Sequence, residues 1–174
     1  ITATEAVAGL AAQFGAFVQN KSKIKATITA AGAKGSTIKD YSATFQGKTY
    51  AGSSWTSELL TTSGTLTIKV RVKDSRGRWS AYKSVNITVQ AYTVPKVQAL
   101  RAYRCNADGT ANTEGEYAKV VYKYSVSSVG GKNTASMALK WKRSTLTEYT
   151  QLTTGTALSA DTSLVTASAL FSTD

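Results

Sequence analysis

The chain has 174 residues and a formal net charge of +11, with 21 basic and 10 acidic residues, 1 cysteine, 1 proline and 0 histidines. Without histidine there is no imidazole general base, no His-dependent triad and no imidazole metal ligand. A lone Cys105 permits neither an internal disulfide nor a thiolate zinc site, so sheets must be held by packing alone.

The chain opens on Ile1 rather than Met, which reads as a fragment or processed product. Its first stretch, ITATEAVAGLAAQFGAFV, lacks the basic flank of a signal peptide and carries Glu5. Val7, Leu10, Ala11, Phe14 and Val18 recur at helical spacing, but Gly9 and Gly15 interrupt them. A short helix or an irregular entry strand is expected there. No window reaches the ~18 apolar residues of a membrane span, so membrane insertion is not expected.

From KIKATITA onward the pattern alternates with a period of two, the signature of half-buried strands. Ile24, Ala26, Ile28 and Ala30 share one face, and Ile68, Val70 and Val72 in TIKVRVKD share another. Val85, Ile87 and Val89 repeat the pattern in KSVNITV. Between these last two runs stands Asp74-Ser75-Arg76-Gly77-Arg78, read as a hairpin turn. Gly77 takes a positive φ at low cost, and Asp74 and Ser75 cap neighbouring amides. Trp79 is expected to cover the end of the sandwich. GAKGST, from Gly32 to Thr37, lacks the spacing of a phosphate loop and joins two strands.

VQAYTVPKVQAL contains the only proline, Pro95, and marks a junction near Tyr92 to Lys96. Two domains follow from it, 1–93 and 94–174. In the second, Val120, Tyr122, Tyr124 and Val126 alternate with polar residues, as do Met137, Leu139 and Trp141. The aromatic residues thereby fall on the inward face, away from the lysines, so a nucleic-acid stacking platform is not expected. Cys105 reads as a small buried packing residue.

The two halves lie beside each other as divergent copies: strand, Gly-containing loop, second strand, turn, tyrosine. The long hairpin that closes the first copy has no counterpart in the second, which reaches LFSTD where that hairpin would begin. The fold class is therefore all-β, with two antiparallel sandwiches, the second lacking its last two strands or borrowing them.

Residues 1–93 hold 12 basic and 4 acidic residues, a surplus of +8, against 9 and 6, or +3, in 94–174. Outward lysines keep strand faces soluble and discourage edge pairing. The close group Lys69, Arg71, Lys73, Arg76, Arg78 and Trp79 is the candidate contact surface for an anionic partner. NADGTANTEGE concentrates the acidic residues of the second half, and Asp108, Glu114 and Glu116 are a candidate calcium set outside the EF-hand pattern. No catalytic residue and no cofactor follow from the sequence.

NKSKIKATITAAGAKGSTIKDYSATFQGKTY, SGTLTIKVRVKDSRGRWSAYKSVNITVQAY and VPKVQALRAYRCNADGTANTEGEYAKV resemble the tandem immunoglobulin-like modules of siphovirus minor structural proteins, from tails or tail fibres of phages of Gram-positive bacteria. The likeness covers about residues 20 to 143 and is carried by the Lys-Ser start, IKDY, DSRGR, the Tyr-x-x-Pro junction and RCNADGT. It implies a virion component assembled in the host cytoplasm, acting as a spacer or adhesion module in contact with other virion subunits. Anionic wall polymers or glycans are the implied host partners. A bacterial surface adhesin repeat is one alternative. A carbohydrate-binding module of a lysin, with Trp55, Trp79 or Tyr82 as sugar platforms, is another.

Overall fold

The computed structural model describes residues 1–171, which form strands joined by turns and a single short helix. The chain divides into two compact units. The first comprises Ile1–Tyr92 together with Val129–Lys132, and the second comprises residues 93–128 and those from 133 onward.

In the first unit the entry segment is both strand and helix. β1 (Thr2–Glu5) is followed by α1 (Leu10–Phe14) and β2 (Phe17–Val18). Gly9 and Gly15 flank α1 at φ of 82° and 60°, so the helical spacing of the sequence produces just over one turn. No residue of α1 is buried. Strands β3 (Ile24–Thr27), β4 (Ile38–Phe45), β5 (Lys48–Ala51), β6 (Ser54–Thr56), β7 (Gly64–Asp74) and β8 (Lys83–Gln90) follow.

They build two sheets, one ordered β1-β3-β6 and the other β2-β8-β7-β4-β5. All pairings are antiparallel except β2 on β8. The inner faces share one core. Ile24 and Ala26 come from the first sheet with Trp55, and Ala43, Phe45, Ile68, Val70, Ile87 and Val89 come from the second. Burying each large aliphatic or aromatic side chain contributes about 1.5–3 kcal/mol. The alternation in the sequence thus becomes a sealed layer between two sheets.

The second unit is built from β9 (Lys96–Cys105), β10 (Tyr117–Ser125), β11 (Met137–Trp141), β12 (Thr150–Gly155) and β13 (Ser159–Val165). Its sheets are ordered β13-β10-β9 and β11-β12. This repeats β6-β3-β1 and β4-β5 strand for strand. No described strand takes the places of β7 and β8, and of LFSTD, the stretch expected from the sequence to begin such a hairpin, Ser172–Asp174 lie outside the described residues.

The correspondence extends to single hydrogen bonds. In the first unit, buried Ser57 accepts from the Ile24 amide through Oγ at 3.0 Å, and its own amide donates to the Ile24 carbonyl at 2.9 Å. In the second, buried Thr166 accepts from the Ala118 amide through Oγ1 at 3.2 Å, and its amide donates to the Ala118 carbonyl at 2.9 Å. Two residues before Ile24 and Ala118, the Ser22 carbonyl accepts from the Leu60 amide at 3.0 Å and the Glu116 carbonyl from the Leu170 amide at 2.7 Å. Both units leave their first sheet through a similar crossover, in which Leu170 stands one residue further from Thr166 than Leu60 does from Ser57.

Candidate functional site

The DSRGR turn is held by its own side chains. Asp74 Oδ1 accepts from the amides of Arg76 at 3.0 Å and Arg78 at 2.9 Å, while Oδ2 pairs with the Arg78 guanidinium at 2.9 Å. Gly77 has φ of 83°, the left-handed conformation that the turn requires. The Ser75 amide donates to the Thr37 carbonyl at 2.9 Å, and Ser75 Oγ accepts from the Thr37 amide at 3.3 Å. Arg76 reaches across to the Lys34 carbonyl at 2.8 Å, tying the Gly32–Thr37 loop to the hairpin. Both arginines therefore serve the turn itself.

The Arg78 backbone amide, followed by the Arg78 guanidinium and the Arg76 amide, holds the Asp74 carboxyl below its ordinary value of 3.8 against opposing desolvation. A carboxyl with a depressed folded pKa contributes stability above its unfolded value and loses it as pH falls through the folded one. The Arg76 and Arg78 amides are accordingly expected to stay protected from exchange as pH falls through the ordinary carboxyl value of 3.8 and to open only at more acidic pH. In Asp74→Asn that acid step disappears, which two-dimensional NMR across pH 2 to 6 reads directly.

Trp79 does not close the end of the sandwich. It lies at 40% exposure outside the core, with the Arg71 guanidinium 4.5 Å from its ring centroid. Tyr82 lies 5.0 Å from the same guanidinium. The cause is the turn geometry: Trp79 bridges back to Lys73 and so lands on the outward face of β7, where Arg71 waits. Lys73 pairs with Asp40 at 3.8 Å. Among the described residues Lys69 alone of the six makes no hydrogen bond, ion pair or ring contact with its side chain. The expected cluster is thus a cationic and aromatic strip on β7, with Arg76 and Arg78 absorbed by the turn.

Trp55, proposed from sequence as a sugar platform, is a core residue stacked on Tyr50 at 4.1 Å. Inward alternation at β6 buries it.

The acidic loop of the second unit folds on itself. Asp108 accepts from the Thr110 amide at 2.8 Å, and that bond holds its carboxyl below the ordinary 3.8. Asn112 donates to Asn106 at 2.8 Å and accepts from the Glu114 amide at 3.0 Å. Asp108, Glu114 and Glu116 are not brought together: among the described residues no three acidic or thiol side chains group to hold a metal. Gly115 passes so close to the Cys105 carbonyl that a Cβ would collide with it, and Cys105 is fully buried beneath.

The second unit also contains an apolar groove of ≈ 370 Å³ between the β9–β10 face and β11, lined by Leu100, Tyr122, Tyr124, Met137 and Leu139. Lysines are the only charged residues in its wall. Nothing in the sequence pattern signals a groove, because the same alternation describes a closed core.

These features define an all-β protein of sheet-built units, with a cationic-aromatic strip on one and an apolar groove in the other. The chain belongs to a family of siphovirus proteins of unknown function (DUF859), whose model matches residues 2–172. The match runs past both ends of the likeness seen at residues 20 to 143. No curated protein and no solved structure gives a match.

Proposed function

We propose that this siphovirus protein is a structural and contact module of the virion, carried in the tail or a tail fibre, with two immunoglobulin-like sandwiches of which the second is open. The observation that carries the reading is the strand order of the first unit. In immunoglobulin-like sandwiches an A-B-E sheet faces a G-F-C sheet, with an added C′ strand beside C in some members. β1-β3-β6 stands in the order A-B-E, and β8-β7-β4-β5 in the order G-F-C-C′, with β2 as a short parallel strand beside G.

Its mechanism is geometric. A sandwich module holds neighbouring parts at a fixed distance, and weak contacts multiply with copy number in a homo-oligomer. Antibodies against residues 1–174, applied to intact particles, are expected to label the tail. Absence of the chain from purified particles would overturn the reading.

An adhesive role is favoured by one observation, the exposed rings of Trp79 and Tyr82 that both lie against the part-buried Arg71 guanidinium, whose Nε is buried without a hydrogen-bond partner among the described residues. Exposed rings backed by a guanidinium form an aromatic and cationic surface suited to anionic wall polymers or glycans of a Gram-positive host. Selective binding to purified walls over duplex DNA is expected to persist at moderate salt. The double variant Arg71→Ala, Trp79→Ala should weaken it about tenfold, roughly 1.4 kcal/mol. Equal, salt-sensitive binding to both polymers would reduce the strip to nonspecific charge.

A further inference from the structure

In the first unit, β7 pairs with β4 along the edge opposite β5, and β8 pairs with β7. This hairpin supplies Ile68, Val70, Ile87 and Val89 to the core. In the second unit β11 stands where β4 stands, paired with β12 on one side and with no described strand on the other. Its second edge therefore presents a row of unpaired amides and carbonyls, the template for strand addition.

The apolar residues that a hairpin would cover are exposed in the order that its two strands predict. In the closed unit the sheet opposite β8 is edged by β1; the corresponding edge, β9, has Val97 at 68% and Leu100 at 60% exposure. One strand further in, Tyr122 and Tyr124 of β10 are half-buried. They sit nearer to the cover that Leu139 and Trp141 of β11 provide on the same inner face. The ≈ 370 Å³ groove is the space between them.

We propose that the open inner face of the second unit, bounded by the free edge of β11, is the seat of a two-stranded amphipathic β-hairpin that enters in cis from the Leu170 crossover. The cis source follows from the hydrogen bonds at that crossover. Beyond β13 the Leu170 amide makes the kind of backbone contact that the Leu60 amide makes beyond β6, one residue further from the buried hydroxyl, and in the first unit that path leads into β7. The occupant has β-branched residues at alternate inward positions and polar or basic ones outward, as β7 and β8 have. The inference rests on the sandwich reading above but not on any place in a virion.

The test joins a second copy of Gly64–Gln90 to Asp174 and compares amide exchange with that of the 1–174 chain. Exchange at Leu139, Lys140 and Trp141 is expected to slow by about tenfold or more in the extended chain. A matched extension with Ile68→Ser, Val70→Ser, Ile87→Ser and Val89→Ser in the appended copy alone is expected to leave exchange unchanged. Equal slowing by both extensions, or by neither, overturns the proposal. So does concentration-dependent protection of β11 in the 1–174 chain, which would assign the face to a second copy. The β4 and β7 amides, read in the same spectra, report the sandwich reading separately: if they exchange freely, that reading fails rather than the docking site.

A second measurement does not depend on the appended sequence. Val97→Ser with Leu100→Ser is expected to leave the melting of the 1–174 chain within about 1 °C while reducing its uptake of an apolar dye several-fold. A large loss of melting temperature would show that the face is already a sealed core and overturn the proposal.

Discussion

Phe45→Ala is expected to destabilise the first unit by about 3–5 kcal/mol, close to the whole stability of a domain of this size. Phe45 is 1% exposed, on the inner face of β4, with its ring 6.2 Å from that of Trp55 in the opposite sheet. The loss includes the transfer of a phenyl ring to water and a cavity that relaxation cannot close. β4 is fixed on both sides, by β5 and by β7, so it cannot move inward to fill the space. Urea unfolding monitored by amide exchange in β4 and β7, with β10 as internal reference, measures it. Phe45→Leu keeps most of the apolar area and should lose under about 2 kcal/mol. A loss below about 1 kcal/mol in the alanine variant would mean that the two sheets do not share one core.

The inward faces were legible because burial and alternation are the same fact seen at two scales. Ile24 and Ala26, Ile68 and Val70, Ile87 and Val89 all lie in the core they were assigned to. The turn at Asp74 was legible because its capping partners lie within four residues. The tether from Arg76 to the Lys34 carbonyl was not, since it joins positions 42 residues apart and depends on how two loops meet. The same holds for Trp79. Its place on Arg71 follows from a backbone bridge to Lys73, which no periodicity encodes.

The second unit shows a different limit. Tyr122, Tyr124 and Trp141 could be placed on an inward face from their spacing, but their exposure depends on which strands lie opposite. Sequence alternation says which side of a strand is apolar, and only the strand order says whether that side is covered. The acidic loop is similar. Its composition suggested cation ligands, and its fold uses Asp108 and Asn112 to cap backbone amides instead.

The paired crossover supplies the second large prediction, because two different residues perform one task. Ser57 and Thr166 each lie at 4–5% exposure and each satisfy a strand amide, Ile24 in one unit and Ala118 in the other. Ser57→Ala leaves the Ile24 amide buried without an acceptor, which costs about 1–3 kcal/mol, whereas the serine hydroxyl contributes little by burial itself. If hydroxyl geometry is the whole requirement, Ser57→Thr should retain most of the stability, as Thr166 does the same work in its own unit. Thr166→Val, nearly equal in shape, should lose as much as Ser57→Ala, since it removes the acceptor from Ala118 without opening a cavity. Chemical denaturation of the three variants separates the possibilities. Should Thr166→Val prove neutral while Ser57→Ala is costly, the Ala118 amide must find water, through the face of β10 over which no described counterpart of β7 and β8 lies.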